Sequence, residues 1–334
     1  MKRITMILMG LAFAFCLNAG SALAADKVQA VATFTILGDM VRQVGGDRVE
    51  VTTFIGPDGD PHDFEPTPKD ARILSHADIL VMNGLGLEGW LPRLNEAAGF
   101  DGVTVTATKG VKTGTMVEHE GHHHGAEHDH DEHAADEDHD HDHAEAHDHD
   151  HGGEGERVTD PHAWQSLEDG KIYVENIRDG LIAADPEGKA IYEANAKAYL
   201  KQIDAEDKAV RAAISEIPED RRVIVTSHDA FGYFGREYGI RMLAPEGVST
   251  ESEASAKAVA KIIDQIREEK IPAVFVENIS DPRLLQQIAD ETGAKIGGTL
   301  YSDALSGPDG PAPTYLDMFR HNVSELSKAL KPAS

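Results

Sequence analysis

The stretch EGKAIYEANAKAYLKQIDAEDKAVRAAISEI, residues 187–217, separates two halves of similar pattern. Its apolar positions Tyr192, Ala196, Tyr199, Ile203, Val210, Ile214 and Ile217 recur at spacings of three, four and seven. That is the single stripe of an amphipathic helix. Pro186 suits its start and Pro218 lies just past its end. A helix of this length spans ~45 Å at ~1.5 Å per residue, more than the width of one small domain. It is either a brace between two lobes or a packed helix of one.

On its N-terminal side the pattern alternates. The runs 28–37, 48–55, 77–84 and 102–108 read as strands, and 39–45, 69–77 and 86–99 as helices. On its C-terminal side 221–227, 239–244, 271–278 and 294–300 read as strands, and 252–270, 282–293 and 314–331 as helices. Strands alternating with helices of this length indicate parallel sheets with crossover helices, an α/β class. The halves share this pattern without a close sequence repeat.

At 334 residues the chain exceeds one typical core, and 40% hydrophobic content is enough for two. The formal charge is −28, which argues against nucleic acid and anionic membrane as partners and is compatible with a cation. The N-terminus, MKRITMILMGLAFAFCLNAGSALAAD, has a basic start at Lys2 and Arg3 and an apolar run from Ile4 to Leu17. Ala22-Leu23-Ala24 then supplies small residues for cleavage after Ala24. This reads as a secretory signal peptide, residues 1–24. The only cysteine, Cys16, falls inside it and follows Phe15, which does not suit lipid attachment. The exported product is therefore expected to carry no disulfide and no lipid. No later run approaches the ~20 apolar residues of a membrane-spanning helix.

Residues 119–151 read HEGHHHGAEHDHDEHAADEDHDHDHAEAHDHDH. Thirteen of the 18 histidines lie here: His119, His122, His123, His124, His128, His130, His133, His139, His141, His143, His147, His149 and His151. Between 118 and 156 there are 16 Asp and Glu and no Lys or Arg; setting those acids aside leaves −12 on the rest of the chain. With almost no apolar side chains, the segment cannot offset the entropy of ordering its backbone. Imidazole suits Zn²⁺, Cu²⁺ and Ni²⁺, and the carboxylates concentrate cations. The tract reads as a solvated auxiliary metal tether, a compositional assignment. It cannot supply one fixed site.

Five histidines remain. His76 and His321 lie within helices and read as ordinary helix residues. His62 lies in the Gly/Pro-rich loop GPDGDPHDFEPTP (56–68), after a strand, and His228 directly follows RRVIVTS. His162 lies in the turn TDPHAW, and Asp303 follows the strand ending near Leu300. Ligands of open parallel α/β sheets bind outside the carboxyl ends of the strands. Three nitrogens and one oxygen suit tetrahedral Zn²⁺. Asp63, Glu65, Asp160 and Asp229 are close enough in sequence to orient the imidazoles, although solvated loop charge is the plainer reading of each.

The combination of GPDGDPHDFEPTP, DPHAW, TSHDAFGYF (226–234) and LYSDALS (300–306) resembles the periplasmic solute-binding subunits of metal-ion ABC transporters. The His-rich insertion ahead of DPHAW is similar to that of the zinc branch. The resemblance covers essentially the whole mature chain. It implies two lobes, each a parallel sheet flanked by helices, bridged by one long backbone helix, with the metal in the inter-lobe cleft. It places ligands at His62, His162, His228 and Asp303. Manganese members typically carry a carboxylate where this chain has His228, so the third imidazole favours zinc. In several zinc relatives water or another carboxylate stands in the Asp303 corner, and this chain lacks the cysteine pair that some relatives carry in the C-terminal lobe.

The expected division is a leader (1–24), an N-terminal α/β lobe (26–165) with the insert 118–156, linking helices (166–218) that include 187–217, and a C-terminal α/β lobe (219–334). The expected function is zinc capture in the periplasm by a monomer that delivers Zn²⁺ to a membrane permease and its ATPase. Three rivals stand beside it: a manganese or iron member of the same family, a stand-alone zinc buffer, and a zinc hydrolase. The hydrolase lacks an HExxH motif and an obvious general base. Zinc titration of the mature chain, with and without residues 119–151, separates tract from site. One tight site survives the deletion and several weaker ones vanish; an unchanged stoichiometry contradicts this reading.

Overall fold

Two buried strand runs set the architecture. ILVM (79–82) and AVFVE (273–277) are almost continuously buried, so they are unbroken apolar runs rather than alternating ones. In the computed structural model, which describes residues 27–117, 157–251 and 253–332, each lies inside its own parallel sheet. The leader and the thirteen tract histidines fall outside the described residues.

The first half runs β1 (Val28–Ala32), α1 (Thr35–Gly45), β2 (Val49–Thr53), α2 (Pro68–Leu74), β3 (Ile79–Met82), α3 (Leu91–Ala98) and β4 (Val103–Thr106). Its strands pair in parallel in the order β2-β1-β3-β4. A two-stranded antiparallel ribbon follows, β5 (Thr115–Val117) with β6 (Arg157–Thr159), and the His-rich tract joins its strands. Next come α4 (Leu167–Ala184) and α5 (Lys189–Ser215). The second half runs β7 (Val223–Val225), α6 (Gly232–Tyr238), β8 (Arg241–Leu243), α7 (Ala256–Glu269), β9 (Ala273–Glu277), α8 (Arg283–Thr292), β10 (Lys295–Leu300) and α9 (Tyr315–Leu330). Its parallel order is β10-β9-β7-β8. In both sheets the first strand lies between the second and the third, so the halves share one topology.

Local chemistry fixes the helix starts. Thr67 and Asp70 form a reciprocal capping box with Pro68 at the first position of α2. Ser166, Ser255 and Thr314 cap α4, α7 and α9 with side-chain oxygens. In α4, Gly180 lets the helix lie directly on the first sheet; a Cβ there would meet Val105 Cγ2 at 2.1 Å.

The α5 helix bridges the lobes. Its inward stripe, Tyr192, Ala196, Tyr199, Ile203, Val210 and Ile214, is buried. It packs on α1 and α4 and also on α9 and α6. Polar contacts pin it to both lobes. Arg48 donates from Nε and Nη2 to Asp185, at 2.8 and 2.9 Å, and Tyr192 Oη donates to the same carboxylate at 2.6 Å. Farther along, Arg320 of α9 donates to Glu206 and Tyr238 of α6 to Asp207. One apolar cluster runs through the whole assembly, from Val31 and Leu80 in the first sheet to Phe275 and Leu300 in the second. A smaller cluster lies under α7 and α8. Among the described residues no helix is long and apolar enough to cross a membrane.

Two features differ from the sequence reading. The strand expected over 28–37 stops at Ala32, and Thr35–Gly45 is one helix. The first turn of that helix, Thr35 to Gly38, is wholly buried, and a short run without a polar side reads equally well as strand. The short α6 and the β5–β6 ribbon were not expected; neither is long enough to show a period.

A brace continuous with one core predicts cooperative unfolding. Replacing the fully buried Ile203 by Ala costs ~2–5 kcal/mol in chemical denaturation and leaves a single transition. Two resolved transitions contradict the shared core.

Candidate metal centre

Four loops converge between the lobes. His62 stands in the loop after β2, and His162 in the turn from β6 into α4. His228 follows β7 and Asp303 follows β10. All four are buried, and one ligand atom from each lies within 4.8 Å of every other. His62 Nε2 is 3.1 Å from His162 Nε2 and 3.4 Å from Asp303 Oδ2. His228 Nε2 is 3.0 Å from Asp303 Oδ2, and His162 Nε2 is 3.8 Å from Oδ1. Donors at ~2.1 Å around a tetrahedral ion are separated by about 3.4 Å, so these spacings bracket that geometry.

The far side of two rings faces a carboxylate. His162 Nδ1 is 2.8 Å from Asp160 Oδ1, which also accepts the His162 backbone N–H at 2.9 Å. His228 Nδ1 is 2.7 Å from Glu277 Oε2, while Glu277 Oε1 accepts the backbone N–H of Ser227 and of His228 at 2.8 and 2.9 Å. A proton held at Nδ1 by a carboxylate leaves the Nε2 lone pair for a metal. Of the four acids considered from sequence, only Asp160 has this role. Asp63 and Glu65 are exposed. Asp229 is partly buried without a hydrogen bond to a site histidine, and burial, then the Asp160 carboxylate, push it up to about 6. Glu277 was missed. Its signal was an acid closing an otherwise apolar central strand.

Hydrogen bonds also fix three of the loops to one another. Trp164 Nε1 and Gln165 Nε2 donate to the Ser302 carbonyl at 2.9 and 2.6 Å, joining the His162 turn to the Asp303 loop. Asp58 N–H donates to the Leu305 carbonyl at 3.0 Å, and Leu305 N–H donates to Thr35 Oγ1 at 2.9 Å. The remaining histidines lie elsewhere. His76 lies in the turn just past α2, not within the helix as expected, with Nδ1 2.8 Å from the Arg72 carbonyl, and His321 Nε2 is 2.9 Å from the Thr299 carbonyl.

The electrostatics suit a cation. The fully buried Asp303 carboxylate faces imidazole nitrogens, with Oδ2 3.0 Å from His228 Nε2 and 3.4 Å from His62 Nε2. Burial works to raise its pKa, but the His228 and His162 rings outweigh burial and hold it below the usual carboxylate range. For His228, burial works to lower the pKa, and the Glu277 and Asp303 charges raise it well above the ordinary imidazole value. An enclosed carboxylate is costly unless a positive charge is near. The donor set can hold one divalent ion of the kind that accepts nitrogen and oxygen together.

The chain resembles known metal-binding proteins. The chain is 33% identical over 304 residues to the iron-binding protein YfeA of Yersinia pestis, covering 91% of this chain and 86% of that one. It is 31% identical over 306 residues to the manganese-binding lipoprotein MntA of Halalkalibacterium halodurans, covering 91% and 89%. Its structure superposes on the periplasmic zinc-binding protein TroA of Treponema pallidum with a TM-score of 0.76 at 26% identity, covering 92% of this chain and all of that one. The family model described as zinc-uptake complex component A, periplasmic, matches residues 30–329. By that match the chain belongs to the zinc-uptake component A family, the substrate-binding components of metal ABC transporters.

Proposed function

We propose that this protein captures zinc in the periplasm and delivers it to a membrane permease and its ATPase. The observation that carries the reading is the convergence of His62, His162 and His228 on Asp303 in a buried pocket between lobes. The relatives are named for iron, manganese and zinc, so the choice of metal rests on this chain's own donors. Three imidazoles and one carboxylate oxygen form a four-donor set that a tetrahedral zinc fills. Such a shell leaves no position for a reacting water, which favours binding over hydrolysis. Zinc is cargo here, held by the four ligands and released intact.

The working division follows: a leader over 1–24 removed on export, an N-terminal lobe to residue 165, linking helices to 218 and a C-terminal lobe from 219. The protein acts as a monomer. The tract histidines gather zinc at intramolecular effective concentration for the buried site.

The metal-free site holds a proton on His228, because the Asp303 and Glu277 carboxylates stabilise the imidazolium against burial. Zinc must expel that proton. Affinity therefore falls as pH drops below the raised His228 value and levels off above it. Calorimetry at pH 7 in buffers of different ionisation enthalpy reads about one proton or more released per zinc at the tight site. No proton release contradicts the assignment.

Ligand softness is tested at the same position. His228→Glu replaces an imidazole by a carboxylate, the donor that manganese tolerates better. Competition titration is expected to show zinc affinity lowered at least about tenfold and the zinc-over-manganese preference narrowed. An unchanged preference contradicts the role given to the third imidazole.

A further inference from the structure

The donors are enclosed. The side chains of His162, His228 and Asp303 have no exposed surface, and that of His62 has 6%. An ion therefore reaches them only after something moves. Separation of the lobes is opposed by the apolar cluster that runs through both and by the Trp164 and Gln165 bonds to Ser302. Those bonds also make the His162 turn and the Asp303 loop a single unit.

The His62 side is held differently. A surface cleft of about 630 Å³ is lined there by His62, Phe64, Leu87, Pro161, Val248 and Glu251, among others. One wall is Val248, Ser249 and Glu251, from the strap 244–251 between β8 and α7. The strap is tied to the His228 loop by two backbone bonds, Glu246 N–H to the Ser227 carbonyl at 3.3 Å and Asp229 N–H to the Gly247 carbonyl at 3.0 Å. Two of its residues are buried, Pro245 and Val248, and Val248 belongs to neither core cluster. Toward the His62 loop, Thr250 Oγ1 donates to Asp60 Oδ2 at 2.6 Å. The other oxygen of that carboxylate, Oδ1, accepts the His62 backbone N–H at 2.8 Å. One carboxylate thus holds both a ligand's backbone and the strap beside it. Segments with few apolar anchors open locally at the least cost.

We propose that the metal ion enters and leaves past His62, between the 56–62 loop and the 244–251 strap, and that the Asp60–Thr250 hydrogen bond is the latch of this passage. The inference rests on the metal-site reading above. Thr250 is a positioning residue and touches no ion. The hydrogen bond joins the two walls of the passage and touches no ion, so weakening it speeds passage in both directions. A lost ligand, by contrast, weakens binding.

The test uses the full mature chain. Zinc chloride is added, or stripped with excess EDTA, in a stopped-flow instrument. The tight site is followed by tryptophan fluorescence, because the Trp164 ring lies 5.2 Å from the His162 ring. Thr250→Val, a near-isosteric change, is expected to raise the loading and release rates together, roughly tenfold, as loss of a hydrogen bond to a charged group would. The equilibrium affinity stays within about threefold, and Thr250→Ser, which keeps the hydroxyl, restores both rates. An unchanged release rate overturns the latch. So does faster release with unchanged loading, which would make Thr250 only a prop for His62. His228→Ala separates the two claims. If it abolishes the tight phase while Thr250→Val is silent, the latch alone fails. If the tight phase survives it, the metal-site reading fails and the latch with it.

Discussion

The Asp303 carboxylate is the constraint from which the rest follows. It is fully buried and stands among three imidazoles drawn from distant parts of the chain, with His228 Nε2 3.0 Å from its Oδ2. A charge so placed is tolerated only beside positive charge, supplied by protonated imidazole or by a metal. To bring those groups together the chain needs loops from both sheets at one place, held to a few tenths of an ångström. The shared strand order provides the place, because ligands gather outside the carboxyl ends of parallel strands where that order reverses.

Each lobe secures its own loops with a buried glutamate. In the second, Glu277 accepts two backbone N–H groups from the loop that carries His228. In the first, Glu88 accepts the backbone N–H groups of Asn83 and Gly84 and the hydroxyl of Thr33. Asn83 then donates to the Pro161 carbonyl, next to His162. Burial raises the Glu88 pKa against the donors that favour its charged form. The α5 brace and the continuous core keep the two sets of loops in register. Motion is left to the segments that the core does not hold, which suits a carrier that must release an ion without unfolding.

Much of this was legible in the residues. The alternation of strand and helix runs marked the two sheets, the period of 187–217 marked the long helix, and His62, His228 and Asp303 after strand ends, with His162 in the DPHAW turn, marked the cluster. What escaped had physical reasons. The first turn of α1, Thr35 to Gly38, is wholly buried, so its start merged with β1. Helix α6 is seven residues and each ribbon strand three, too short for a period. Glu277 looked like the polar end of a strand, and its inward direction depends on pairing that only the folded sheet sets. Thr250 and Asp60 are 190 residues apart, and no local pattern links them.

The most direct measurement is a crystal structure of the zinc-loaded protein with anomalous differences recorded on both sides of the zinc absorption edge. One strong peak is expected about 2.0–2.2 Å from Nε2 of His62, His162 and His228 and from an Asp303 oxygen. A peak elsewhere among the described residues, or an ion that leaves one of the three imidazoles uncoordinated, would contradict this coordination.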